Sequence, residues 1–341
     1  MAKFNVITKA KKILTPPQKE RIKSAIECAS MLPNYLVDMF RYIRESATTK
    51  SGYSKEKTRA LLIKNYHVIE KGLALPEPRL GFGSSLLHRV IHFADTYIQR
   101  YGIDEVSCHA YNAINSYVEF HKAHELNFPH LNSFLDTHRA AVANLNINEG
   151  GTRKIRAVDF IEGSKGNFEA LTNARCSVRN FSNKQIDNHN IIKAINLIRR
   201  TPSVCNRPTT KIYAYSDEER KRKILELQNG NRGFGHTASH VFIVTADLRC
   251  FNGSKERNQS FIDGGLTAMS LVYALQSQGI GTCFLNWSVN FPQDAKLKKA
   301  AGLPKSAVII SLIAAGHLPE ELLVAQSPKV NMDDFFELVE T

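Results

Sequence analysis

At 341 residues the chain is longer than one hydrophobic core ordinarily needs, which points to two domains. Hydrophobic residues make up 43% and charged residues 23%, the balance of a folded globular protein, while 19 glycines and 12 prolines exclude collagen-like and low-complexity sequence. The formal charge of +13 raises the question of nucleic acid. The excess is spread over both halves and no helix-turn-helix, zinc-finger or aromatic RNA-binding signature accompanies it, so nucleic-acid binding is set aside.

In chain order, Lys3 to Leu14 is basic and loosely amphipathic. It reads as a frayed arm, with transient contact to anionic lipid as the alternative and no stable membrane insertion, because no apolar run reaches the length of a span or of a signal peptide. From Pro17 to Leu145 apolar residues recur every three or four positions, which predicts helices over 18–46, 54–71, 84–101, 104–126 and 130–145. Pro33 marks a possible break, and Ser54 and Asp104 are candidate N-caps. Asn146 to Arg153 holds Gly150-Gly151. The expected division is therefore a helical domain over 1–150, a linker over 151–165 and a second domain over 166–341.

After residue 165 short β-branched runs (Lys211–Tyr215, Val241–Ala246, Val308–Ala314) alternate with helical segments (188–200, 217–228, 257–278, 332–339). That pattern predicts an α+β layer with one central sheet flanked by helices. Gly81-Phe82-Gly83 and the Gly230–Gly235 stretch do not lie between a strand and a helix of a βαβ unit, so a Rossmann fingerprint is excluded. The cysteines Cys28, Cys108, Cys176, Cys205, Cys250 and Cys283 are widely separated without a Cys-x-x-Cys, which argues for a reducing cytoplasm and against a zinc ribbon or disulfide scaffold. Cys176, Cys205 and Cys283 are expected as small buried hydrophobes.

Arg175-Cys176-Ser177-Val178-Arg179-Asn180-Phe181 puts two guanidinium groups and a hydroxyl within five residues, a donor set suited to phosphate, although a solvated basic turn has the same composition. Downstream follow Thr201-Pro202-Ser203-Val204-Cys205-Asn206-Arg207, a helix containing Gly264-Gly265, the turn Gly279-Ile280-Gly281-Thr282-Cys283, and a strand through Phe284, Leu285 and Asn286. In this order residues 166–341 resemble the nitroreductase family of FMN-dependent oxidoreductases.

The resemblance implies a nitroreductase-like fold and a homodimer with FMN in a pocket built from both subunits. It also implies hydride transfer from NAD(P)H through flavin N5 to a second, small-molecule substrate, with no catalytic side chain needed. Arg175, Ser177, Arg179 and Lys329 would hold the phosphate and ribityl chain. Pro202, Ser203, Asn206 and Arg207 would lie along the ring, and Phe284, Leu285 and Asn286 would approach its other part, toward N5. The family's usual Asn-x-Gln-Pro-Trp reads Asn206-Arg207-Pro208-Thr209-Thr210 here, and Cys176 stands where a second basic residue is common.

The string His67-Val68-Ile69-Glu70-Lys71-Gly72-Leu73, followed by Pro78-Arg79, resembles the helical extension of a nitroreductase-like subgroup associated with polysaccharide biosynthesis. His67, Glu70 and Lys71 share a helix face that ends at a glycine C-cap. With Arg79 they are candidates for controlling substrate access. The histidine pairs His88/His92 and His121/His124 have zinc-compatible spacing, but no third ligand goes with them and no metal is expected. The leading expectation is an FMN-dependent NAD(P)H oxidoreductase. The alternative is a catalytically silent flavin-fold component of a polysaccharide assembly pathway.

Overall fold

The computed structural model describes residues 15–45, 54–204, 207–251 and 254–339. Five helices come first: α1 (Pro16–Glu45), α2 (Lys55–Leu73), α3 (Ser84–Tyr101), α4 (Glu105–Lys122) and α5 (Pro129–Ala143). The caps explain two of the starts. Ser54 accepts the Lys57 N–H, and Asp104 and Ser107 form a reciprocal capping box. Pro33 does not break α1, which runs through it. Leu62, Ile69, Val90, Tyr97, Ile114, Tyr117 and Leu131 meet in the core of this region.

The stretch expected as a linker is ordered. Thr152–Arg156 is a strand, β1, antiparallel to β6 (Glu321–Ala325), with Ile155 opposite Leu322. Ala157–Ser164 and Phe168–Ala174 are short helices, α6 and α7. The pairing joins segments some 170 positions apart, which local periodicity does not report.

The remaining elements are α8 (Asn188–Ile198), β2 (Thr210–Tyr215), α9 (Glu218–Glu226), β3 (His240–Asp247), α10 (Gln259–Gln276), β4 (Gly281–Asn286), α11 (Phe291–Ala301) and β5 (Ala307–Gly316). The main sheet is antiparallel in the order β2-β3-β5-β4. Its faces alternate residue by residue. Phe242, Val244, Ile313 and Ala315 cluster with Ala268, Leu271 and Leu275 of α10, whereas Val241, Ile243, Cys283, Leu285 and Leu312 cluster with Ile224 and Leu297. The architecture is therefore α+β, a sheet with helices on both faces and a helical region preceding it.

The helix expected over 332–339 is absent. Only Met332–Asp334 turns, as a single 3₁₀ turn, and Phe335, Phe336, Leu338 and Val339 are exposed with no core to pack into. No helix among the described residues is long and apolar enough to cross a membrane.

Candidate functional site

The segment Arg175–Arg179 lies along the free edge of β4. Ser177 bridges to Thr282 in parallel, and the Val178 N–H donates to the Thr282 carbonyl at 2.9 Å. Gly281 makes this approach possible, because a Cβ there would stand 2.9 Å from Val178 Cγ2 and 2.7 Å from Leu318 Cδ1. Gly279 before it turns the chain at φ +73°, a conformation that favours glycine. Ser177 thus shares the sheet face of Thr282 and Phe284, while Cys176 and Val178 join the core on the other face with Cys283 and Leu285.

Arg179 is only 8% exposed, yet the hydrogen bond from its Nη1 to the Ser177 carbonyl is long at 3.5 Å. Arg175 is half-buried at the end of α7. Among the described residues no carboxylate comes within ion-pair distance of either guanidinium. Burial pushes the Cys176 and Cys283 thiols up, and the surrounding arginines pull against it. That balance fits inert packing groups better than nucleophiles.

Along β4 the side chains alternate. Phe284 is 40% exposed, Leu285 is buried and Asn286 is exposed. The Asn286 carbonyl accepts from Gln228 Nε2 at 2.9 Å, and Asn231 in turn donates to the Gln228 side chain and carbonyl. Gln228 and Asn231, buried polar groups that fix the end of β4, had no recognisable spacing in the sequence.

The loop before β2 is organised by Asp263 of α10. Its buried carboxylate accepts from the Val204 N–H at 3.2 Å, Thr209 Oγ1 at 2.7 Å and Gln259 Nε2 at 2.9 Å. Burial works to raise this carboxyl, and the three hydrogen bonds outweigh it, so the group is held below its ordinary value. Pro202 is exposed, and Ser203 Oγ donates to the Arg207 carbonyl at 2.7 Å. Arg207 reaches the Cys250 carbonyl at 2.6 Å and Glu256 at 2.8 Å, and lies over the Phe251 ring. Its guanidinium therefore ties the loop to Cys250 and Glu256. Asn206 lies outside the described residues.

These two groups of candidates are not brought together within one chain. Arg175–Arg179 flank β4 at the Thr282 end, whereas Arg207 and the described residues Pro202 to Val204 lie before β2, at the opposite edge and the opposite end of the sheet. From the strand spacing and rise the separation is roughly 25–30 Å, farther than one mononucleotide reaches. Lys329 is exposed beyond β6.

In the helical region His67 Nδ1 and Glu70 Oε2 are 2.7 Å apart, and fully buried Glu70 also accepts the Gly151 N–H at 3.0 Å. The expected polar patch is thus partly a clamp on the entry to β1. Gly72 is not the C-cap. It lies within α2, whose cap is Ala74, and a Cβ on it would stand 2.3 Å from the Phe82 ring. Burial, and next the nearby Arg179, push the Lys71 ammonium below the usual lysine range. Arg79 is exposed on the following loop, which is held by the Gly81 N–H donating to His121 Nε2 and by Tyr117 Oη donating to the Phe82 carbonyl. Among the described residues no group of three or more His, Cys, Asp or Glu is placed to hold a metal.

Residues 172–231 and 226–317 match the model of the nitroreductase family. An FMN reductase [NAD(P)H] of Bacillus subtilis (strain 168) is 24% identical over 191 residues, covering 49% of this chain and 76% of the relative. Among solved structures, a nitroreductase family protein from Streptococcus pneumoniae TIGR4 superposes with a TM-score of 0.44 at 18% identity, covering 51% of this chain and 100% of that one. An FMN-dependent nitroreductase from Clostridium difficile R20291 gives 0.39 at 16%, covering 52% and 93%. The part of this chain that carries the sheet, from α7 to the end of β5, is similar to the nitroreductase family, and the helical region before it lies outside that match.

Proposed function

We propose that the chain is an FMN-dependent NAD(P)H oxidoreductase that works as a homodimer. The observation that carries this reading is the carboxylate-free arginine segment Arg175–Arg179, with Arg179 buried, beside the exposed Phe284 and inside the stretch that matches the family model. Guanidinium and hydroxyl donors with no internal counter-ion fit a phosphate ester, and a flat exposed aromatic ring fits a stacked heterocycle. When bound, FMN supplies two-electron hydride chemistry between NAD(P)H and an acceptor.

The residues bind and orient. Arg175, Ser177, Arg179 and Lys329 hold the phosphate end, while Phe284 and Asn286 face the ring from a strand anchored by buried Leu285 and by Gln228. Pro202, Ser203 and Asn206 belong to the same site only if a second copy presents its loop, because one chain holds the two half-sites too far apart. The exposed row Phe261, Ile262 and Leu266 on α10 supports that assembly. The described cysteines Cys28, Cys108, Cys176, Cys250 and Cys283 are unpaired, which supports a cytoplasmic setting. The acceptor is read as a small molecule, with a step in surface-polysaccharide biosynthesis as its context and His67, Glu70, Lys71 and Arg79 in the region controlling its access.

A second reading, a flavin-binding protein without turnover, draws on Arg207, whose guanidinium is engaged by Glu256 and the Cys250 carbonyl. One experiment separates the two readings. Protein reconstituted with FMN is mixed anaerobically with NADPH or NADH in a stopped-flow instrument. Rapid loss of the flavin absorbance supports the enzyme, an unbleached flavin supports the passive binder, and absence of flavin binding sinks both.

A further inference from the structure

Helix α1 turns its apolar face away from the body of the protein. Among its described side chains all are exposed except those of Glu27 and Met31, which are half-buried. These two stand about one turn apart and mark the side on which α1 packs against the Ser254–Glu256 turn. At about 100° per residue, Ile22, Ile26, Leu32, Leu36, Met39 and Phe40 fall within an arc of roughly 140° on the opposite side. All six are exposed, Ile26 by 64% and Phe40 by 63%. A helix about 45 Å long thus presents a continuous apolar stripe to its surroundings, the mark of an interaction surface.

The charges around the stripe decide what fits it. Lys19 and Lys23 border it along one side and Arg21 along the other, whereas Glu20 and Glu27 fall on the far pole. Asp38 and Arg41 follow Glu20 and Lys23 by about five whole turns, so the sequence repeats the arrangement farther along the helix. The first 19 residues of the chain hold five lysines and no acidic residue. Cations at the borders and acids opposite suit an anionic bilayer. The apolar side chains enter the boundary of the acyl chains, while the lysine and arginine stems lie along it and raise their charges to the lipid phosphates. A second copy laid on the same face would press one basic border against another, whichever way the two helices ran.

We propose that α1 is a membrane-surface anchor that lies in the plane of an anionic lipid bilayer, with the stripe from Ile22 to Phe40 toward the acyl chains. It rests on the bilayer without crossing it. The proposal is independent of the flavin reading.

The test is flotation of the full-length protein with vesicles of phosphatidylcholine alone and of equal parts phosphatidylcholine and phosphatidylglycerol, at low and high salt. The wild type is expected to float with the anionic vesicles at low salt, to float less at high salt, and to stay behind with the neutral ones. Ile26→Gln combined with Phe40→Gln, which changes exposed positions and keeps good helix formers, is expected to weaken binding at least about 10-fold. Lys19→Gln combined with Lys23→Gln is expected to weaken it about 10- to 30-fold, and Glu20→Gln on the far pole to leave it within a few-fold. A wild type that does not float, or that floats equally with both vesicles, overturns the proposal. So does an Ile26/Phe40 variant that floats like the wild type, because the N-terminal lysines then suffice without α1. Loss of self-association in that variant, read by light scattering, gives the stripe to a second copy and overturns it as well.

Discussion

Arg175 and Lys329 approach the proposed phosphate from different parts of the chain, one at the end of α7 and one beyond β6, so their contributions are separable. Arg175→Ala and Lys329→Ala are each expected to weaken FMN binding by about 1.5–3 kcal/mol, the range for a hydrogen bond to a charged group, with the melting temperature unchanged. Wild-type affinity in both variants, read by flavin titration, removes the phosphate assignment. The histidines give a second residue-scale expectation. Burial holds His109, His121, His130, His240 and His317 below the ordinary imidazole value of 6.5. His121 shows why: Nδ1 bonds the Tyr117 carbonyl at 2.8 Å and Nε2 accepts the Gly81 N–H at 2.9 Å, a pattern only the neutral ring satisfies. Above pH 6.5 both folded and unfolded chains carry neutral rings. Below it the unfolded chain takes up protons that the folded chain refuses, so stability falls as the pH drops from 6.5 through the depressed folded values. Thermal melts between pH 7.5 and 5 are expected to show a falling midpoint, and a flat profile shows that these rings charge in place.

At the scale of elements, α10 separates two glycines that the sequence presents as one pair. A Cβ on Gly264 would stand 2.3 Å from Ile310 Cγ1 of β5, whereas one on Gly265 meets nothing within 4 Å. Gly264→Ala is therefore expected to destabilise the fold by about 1–3 kcal/mol in urea melts, through overpacking. Gly265→Leu is expected to leave the monomer fold intact and to break the homodimer in light scattering, since Gly265 lies among the exposed Phe261, Ile262 and Leu266. A stable dimer in Gly265→Leu moves the interface elsewhere. The same contrast marks what was legible in the sequence. Elements with their own periodicity and caps, such as α2 to α5 and β3 and β5, lie within a few residues of their expected ranges. Thr152–Arg156 carries three cations in five residues and no apolar alternation, so β1 exists only through its partner β6. Of the candidate site, motif order nominated the residues that the proposal uses. Their division between opposite edges of the sheet was not legible, because strand order is a long-range property.

For the whole molecule the decisive feature is how many separate ties join the helical region to the rest. Glu70 accepts the Gly151 N–H, Leu75 seats against Gly233, and Arg59 pairs with Asp334 of the C-terminal segment at 2.8 Å. The strand β1, directly after Gly151, completes β6. A fragment starting at residue 160 loses β1, Glu70 and Leu75 together. It leaves β6 with an unpaired edge and uncovers the apolar cluster around Cys176 and Val178. Expressed alone, residues 160–341 are therefore expected to melt well below the full-length chain, to bind a hydrophobic fluorescent dye that the full chain excludes, and to hold FMN more weakly. Restoring β1 in a fragment starting at residue 150 is expected to recover part of the melting temperature, because strand pairing returns, but to leave dye binding in place, because Leu75 is still missing from the apolar cluster. A 160–341 fragment that melts like the parent and binds FMN with the parent's affinity instead makes the helical region an independent domain whose contacts with the sheet contribute nothing to the site.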